Sequence, residues 1–180
     1  VKSRTVTGLE LTRQFFTSTD LPGYGELYTI KNTSGKNCVV EVPRLQETYF
    51  TDAAKGTEGS YALHIDISGT GSHLLKNNDS LIYSVFYSGI KREDPPLNVS
   101  VEMEKGKRLS FIQEIWSKLI LETPDTVLNR AFAFAKIRAA ESIFQTKGGP
   151  MHGPGGESYY AAIWANDQAE YIGPFFPFLG

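Results

Sequence analysis

A single cysteine, Cys38, stands among 180 residues, so the chain can close no internal disulfide. Its place between Asn37 and Val39-Val40 is that of a strand residue, where a small thiol packs like an apolar side chain rather than reacting. Charge of one sign is also scarce. Lys and Arg number 18 against 20 Asp and Glu, a formal net charge of −2, and no block of like charges stands out. That leaves no basic footprint, and a nucleic-acid partner is not expected.

No apolar run approaches the ~18 residues of a membrane span, and no charged-then-apolar leader opens the chain. It begins at Val1 rather than an initiator Met. That leaves room for a removed leader and fits a secreted or periplasmic location better than a cytoplasmic one. The glycine-rich stretch 147–156 fails as a phosphate loop, because no Gly-Lys-Ser/Thr follows and Pro150 and Pro154 each remove a backbone donor. His152 and Glu157 are too few for a metal site. No serine carries a nucleophile elbow, and nothing calls for a cofactor. Two Asn-x-Ser/Thr triplets, at Asn32 and Asn98, are of the kind that arise by chance.

What is present is ordinary globular composition, 41% apolar and 21% charged, in two stretches of different periodicity. Up to Met103 the period is two. Tyr61, Leu63, Ile65 and Ile67 alternate with polar or small residues, as do Leu97, Val99, Val101 and Met103, which predicts half-buried strands. Further strands are expected at 26–31, Cys38–Val42, 45–50 and 81–87, with turns at 32–37, 68–72 and 77–80. His64 falls on the polar face and His73 in a turn. The short, regular spacing without helical crossovers predicts an antiparallel β-sandwich over 1–106.

After Gly106 the grammar is helical. Ser110 and Gln113 form a capping-box pattern that predicts a linker helix within 107–124. Thr123-Pro124-Asp125 then predicts a second helix, with Thr123 as N-cap, running to about Thr146 and stopping at Gly148-Gly149-Pro150. The loop 148–156 suits neither helix nor strand. The second helix is apolar on two sides, with Leu128, Phe132, Ala135, Ala139 and Ile143 on one and Ala133, Ile137, Ala140 and Phe144 on the other. Two stripes imply neighbours on both sides. With the apolar ending Pro174–Gly180, this predicts that residues 125–180 need the remainder of a larger helical array or a second chain.

Residues 159–170 deliver an amide and two carboxylates out of an aromatic run. Asp167 and Glu170 are three apart, so in an α-helix starting near Asn166 they share one face. They equally fit a capping box, with Asp167 as N-cap and Glu170 at N3. Tyr160 and Trp164 offer ring faces on which the C–H surface of a sugar can stack, while Asn166 and the carboxylates can take its hydroxyls. The same aromatics can also alternate into a core.

A strand-rich half, linker helices, an apolar helix, a Gly-rich loop and the segment Tyr159-Tyr160-x-x-Ile163-Trp164-x-x-Asp167 together resemble the inverting six-hairpin glycosidases. Their catalytic part is an (α/α)6 toroid, and they include glucoamylases, trehalases, processing α-glucosidases and α-L-rhamnosidases. The specific part of the resemblance is 136–180, which looks like the first hairpin of such a barrel. The resemblance implies an α+β chain, a sandwich followed by the start of the barrel, that binds a carbohydrate substrate. Asp167 would be general acid or principal sugar ligand, Tyr160 and Trp164 the sugar platform, and Asn166 and Glu170 supporting contacts. Inversion needs a second carboxylate, which the resemblance places beyond Gly180, so the 180 residues alone are expected to be inactive. The alternative is a non-catalytic carbohydrate-binding or assembly module.

Overall fold

Alternation in the first half builds two long strands, of ten and twelve residues, among shorter ones. A computed structural model describes residues 1–55, 58–153 and 163–179, and the chain divides into two units, Val1–Arg108 and Leu109–Gly180. The first contains β1 (Lys2–Arg4), β2 (Leu9–Thr17), β3 (Gly23–Asn32), β4 (Cys38–Val42), β5 (Gln46–Phe50), β6 (Tyr61–Ser68), β7 (Gly71–Leu75) and β8 (Ser80–Lys91). Six form one sheet in the order β1-β2-β3-β8-β6-β5, antiparallel at every pairing. β4 and β7 make a separate antiparallel ribbon. The chain is therefore α+β, with an antiparallel six-stranded sheet.

The two faces of the sheet are covered differently. On one, Leu27 and Phe86 pack with Val101, Phe16 and Val99. Glycine makes this approach possible, since a Cβ on Gly23 would lie 2.3 Å from the Phe86 ring and one on Gly25 2.7 Å from the Phe16 ring. On the other, Val42 and Leu75 of the ribbon pack with Leu81, Ile30, Ile67 and Tyr83 of the sheet, and half-buried Cys38 joins them. Asn32 anchors this junction. Its side chain is fully buried, its amide donates to the carbonyls of Lys36, Leu75 and Lys76, and its Oδ1 accepts from Ser34. The first Asn-x-Ser/Thr triplet is thus occupied by structure.

Several expectations are corrected. The turn expected over 68–72 ends early, and β7 begins at Gly71 as partner to β4, which places His73 in a strand with Nε2 3.0 Å from the Gly69 carbonyl. The strand expected from Leu97 to Met103 does not form: 97–100 are irregular and 101–103 open α1 (Val101–Ser117). Ser100 caps it, accepting from the Met103 amide, so the helix begins nine residues before Ser110, whose capping-box pattern lies inside it. Val101, Glu104 and Ile115 turn inward at helical spacing. The buried member Glu104 is polar, which hides the pattern; Ser18 and Lys107 hydrogen-bond its carboxylate and hold its pKa below the usual 4.5, Lys107 contributing more.

In the second unit α2 (Thr126–Glu141) is capped by Asp125, not Thr123. The Asp125 carboxylate accepts from the amides of Val127 and Leu128 at 2.8 and 3.2 Å, while the Thr123 hydroxyl is held by Asn129. α2 ends at Glu141 rather than near Thr146. The chain reverses into a hairpin of β9 (Ile143–Thr146) and β10 (Gly149–His152), with Gly149 at φ 107°, a left-handed value that glycine adopts without strain. Ile115, Ile137, Ala139, Ala140 and Phe175 form the core.

Beside that core sits Lys136, 4% exposed, whose ammonium group donates to the carbonyls of Ile115, Trp116, Lys118 and Leu119. Those of Ile115 and Trp116 are among the acceptors at the end of α1, and those of Lys118 and Leu119 follow directly after it, so Lys136 closes α1 from another helix. Burial lowers its pKa from the ordinary 10.5.

Candidate functional site

The segment after the hairpin is fastened to it through His152. His152 ends β10 and is 8% exposed. Its Nδ1 lies 2.9 Å from Gln168 Oε1, while Gln168 Nε2 donates to the His152 carbonyl at 3.2 Å. Because the amide nitrogen is committed to that carbonyl, the amide oxygen faces Nδ1, which donates to it. Nε2 is buried without a hydrogen-bond partner among the described residues. The ring meets Phe176 edge-on at 5.2 Å. Two hydrogen bonds and an aromatic contact therefore fix the position of the helical turn on which Gln168 sits.

That turn starts in α-helical form, with the Gln168 amide donating to the Trp164 carbonyl at 3.1 Å, then widens to a π-helical turn over Asp167–Ile172. The Gly173 amide closes it onto the Gln168 carbonyl five residues back, at 2.7 Å. A Cβ on Gly173 would lie 2.0 Å from that oxygen, so the closure needs glycine. Wide single turns of this kind recur at functional sites.

The winding changes the relation of the two carboxylates. With hydrogen bonds five residues apart, a three-residue step falls well short of a full turn, so Asp167 and Glu170 do not share a face as the α-helical expectation had it. Asp167 is half-buried and Glu170 exposed. The capping-box reading is also corrected: the residue before the turn is Asn166, in helical conformation, and no side chain caps the turn. Among the described residues the Asp167 carboxylate enters no hydrogen bond or ion pair. Trp164 is 46% exposed and Asn166 exposed. Trp164, Asn166 and Asp167 are thus brought together on one short stretch. Tyr160 and Glu157 lie outside the described residues.

Sequence reasoning missed the parts that hold the turn in place. It weighed His152 only as a metal ligand and gave Gln168 and Gly173 no role. The available signal was a histidine closing a Gly-Pro-rich hairpin, followed by an amide on the helix beyond it. Among the described residues no group of three or more His, Cys, Asp or Glu is arranged to hold a metal ion, and no helix is long and apolar enough to cross a membrane.

Next to this segment α2 leaves an apolar groove of about 660 Å³, lined by Leu119, Phe132, Phe134, Ala135, Ile172 and Phe175. Phe134 is 64% exposed. Family models, curated proteins and solved structures were each compared with the chain, and none matches.

Proposed function

We propose that the chain is a portion of a glycoside hydrolase that acts on glycosides or oligosaccharides, with Asp167 as the carboxyl group at the sugar and Trp164 as the ring platform beside it. The observation that carries this reading is a half-buried Asp167 with no partner among the described residues, on a π-helical turn that the His152–Gln168 pair holds in place. A carboxylate that neither caps a helix nor pairs with a cation is available to a substrate. The exposed indole three residues earlier supplies an apolar face for a sugar's C–H surface, and Asn166 a donor and acceptor for its hydroxyls.

The resemblance to six-hairpin glycosidases gives this reading its finer form. On this reading the β4–β7 ribbon would be the second layer of a sandwich, and α2 would open the first hairpin of an (α/α)6 barrel. The open groove along α2 supports that assignment, since a barrel helix needs a neighbour there. The base that activates water would belong to a later hairpin.

The test is Asp167→Asn in the complete protein, assayed against a panel of aryl glycosides. Removal of a general acid lowers kcat by about a hundredfold to ten-thousandfold, whereas Trp164→Ala raises KM through the lost platform. Turnover by Asp167→Asn close to that of the wild type defeats the proposal. The 180 residues alone turn over none of these substrates, because inversion uses two carboxyl groups across the bond.

A further inference from the structure

We propose that the first unit carries a separate binding site for a neutral saccharide on the uncovered part of its sheet. The class of ligand rests on the carbohydrate reading above; the site itself rests on geometry in the first unit alone. The β4–β7 ribbon covers only the end of this face where Ile30, Ile67 and Leu81 lie. Beyond it, alternate residues of four strands present rings to one side: Phe15 on β2, Tyr24 and Tyr28 on β3, Tyr87 on β8, and Tyr49 on β5, with Tyr83 at the margin of the ribbon.

Three of these rings, Phe15, Tyr24 and Tyr87, stand in a row. Tyr24 lies 6.3 Å from Phe15 with its plane tilted by 30°, and Tyr87 lies 5.9 Å from Tyr24, tilted by 52°. Between Tyr24 and Tyr87 on one side and Tyr49 and Leu63 on the other runs a cleft of about 360 Å³. Its floor is low because Gly89 has no side chain, and a Cβ there would meet Leu63 at 3.3 Å. Tyr87 and Ile65 also line an adjoining depression of about 280 Å³ that reaches Tyr28 and Tyr83. Phe15, Tyr49 and Tyr87 are 53, 56 and 36% exposed, so ring faces are open to a ligand.

At the centre of the platform is a charge pair. The Glu26 side chain is 4% exposed and its carboxylate accepts from Arg13 and from the Tyr28 hydroxyl. The Arg13 guanidinium lies 5.7 Å from the Phe15 ring centre and 5.6 Å from that of Tyr28. The two charges cancel, which favours an uncharged ligand. Arg13 is 44% exposed at its side chain and has five N–H donors, so donors remain for hydroxyl groups next to the rings. Ring faces carry negative potential and sugar C–H groups positive. A polyhydroxylated ring that is apolar on its flat faces and polar at its rim matches a platform of this composition, held on rigid strands rather than loops.

Affinity electrophoresis of the 180-residue chain through gels containing soluble starch, xylan, mannan or mixed-linkage β-glucan tests the proposal. At least one polysaccharide retards the wild type. Tyr24→Leu and Tyr87→Leu, which keep bulk but lose the ring, weaken that retardation about tenfold each, and Arg130→Met, at an exposed position of the second unit, leaves it unchanged. Thermal melts verify that each variant is folded. Absence of retardation by all four polymers overturns the proposal, as does retardation that survives both tyrosine substitutions. Retardation lost in Trp164→Ala but not in the tyrosine variants overturns this site while sparing the function proposed for Asp167. A chain that sediments as a dimer, and as a monomer after Tyr87→Leu, assigns the face to self-association and overturns the saccharide site.

Discussion

Replacing Lys136 by methionine removes the cation that closes α1 while keeping most of the apolar stem. The ammonium group donates to the carbonyls of Ile115, Trp116 and Leu119 at 3.1 Å each, and to that of Lys118. Hydrogen bonds to a charged partner contribute about 1.5–3 kcal/mol, and a buried carbonyl left alone costs about 1–3 kcal/mol. Two terms reduce the sum. The variant no longer keeps a charge from water, and the Leu119 carbonyl belongs to a residue already 38% exposed. A net loss of about 2–3 kcal/mol remains. For a unit of this size each kcal/mol lowers the melting midpoint by about 4–8 °C, so the shift is about 10–20 °C.

Both tryptophans of the chain, Trp116 and Trp164, fall in the second unit. Indole fluorescence therefore follows the melting of that unit in the full chain. Arg130→Met, at an exposed position of the same helix, stays within about 0.5 kcal/mol of the wild type. A Lys136→Met midpoint within a degree or two of the wild type refutes the role given to the ammonium group. Burial lowers the folded pKa of Lys136 below 10.5, so between the lowered value and 10.5 the unfolded chain binds more protons. The contribution of this residue to stability therefore rises with pH across that window, and the rise is absent in Lys136→Met.

Three further outcomes are expected. Glu104 has a folded pKa held below 4.5 by Lys107 and then Ser18; its stabilisation is complete above 4.5 and lost as pH falls through the lowered value, and Glu104→Gln flattens that acid limb in denaturant titrations. Gly23→Ala places a Cβ 2.3 Å from the Phe86 ring and destabilises by about 1–3 kcal/mol through overpacking; a neutral result in urea unfolding means that Phe86 has room to move. Asp125→Ala removes two capping hydrogen bonds from α2 and costs about 1 kcal/mol in the same assay, and equal stability of the variant and the wild type contradicts the cap assignment.

The strands were legible where alternation met a clear turn. β4 has the bounds expected from the sequence, and the strand ends around β3, β5, β6 and β8 differ by a few residues, as ladders extend through Gly23 and Gly89 once partners are present. The failures have physical causes. Val99, Val101 and Met103 alternate like a strand, yet a buried carboxylate at Glu104 supplies the missing helical contact, and apolar patterning gives a charge no weight. Ile143 and Phe144 continue the helical stripe of α2, but the reversal at Gly149 recruits them into a hairpin. Lys136 reads as a solvated residue until its four carbonyl partners arrive from a distant segment. At the candidate site the sequence offered Trp164, Asn166 and Asp167 as neighbours on one segment. The π-helical winding was not legible, because it depends on Gly173 approaching the Gln168 carbonyl.

The order of the sheet has a consequence for how the chain is made. β8 is the last of the six strands to be synthesised, yet it lies in the interior, with Tyr87 opposite Tyr24 of β3 on one side and Ile65 of β6 on the other. Until Lys91 has left the ribosome, β3 and β6 each present a bare edge, and neither half of the sheet can find the other. The β2–β3 and β5–β6 hairpins close locally, whereas joining them waits for a strand that begins 48 residues after β3 ends. During that interval the nascent chain is two separate half-sheets with exposed aromatic strands, the state in which it is most open to mispairing with a neighbouring copy and most in need of a chaperone.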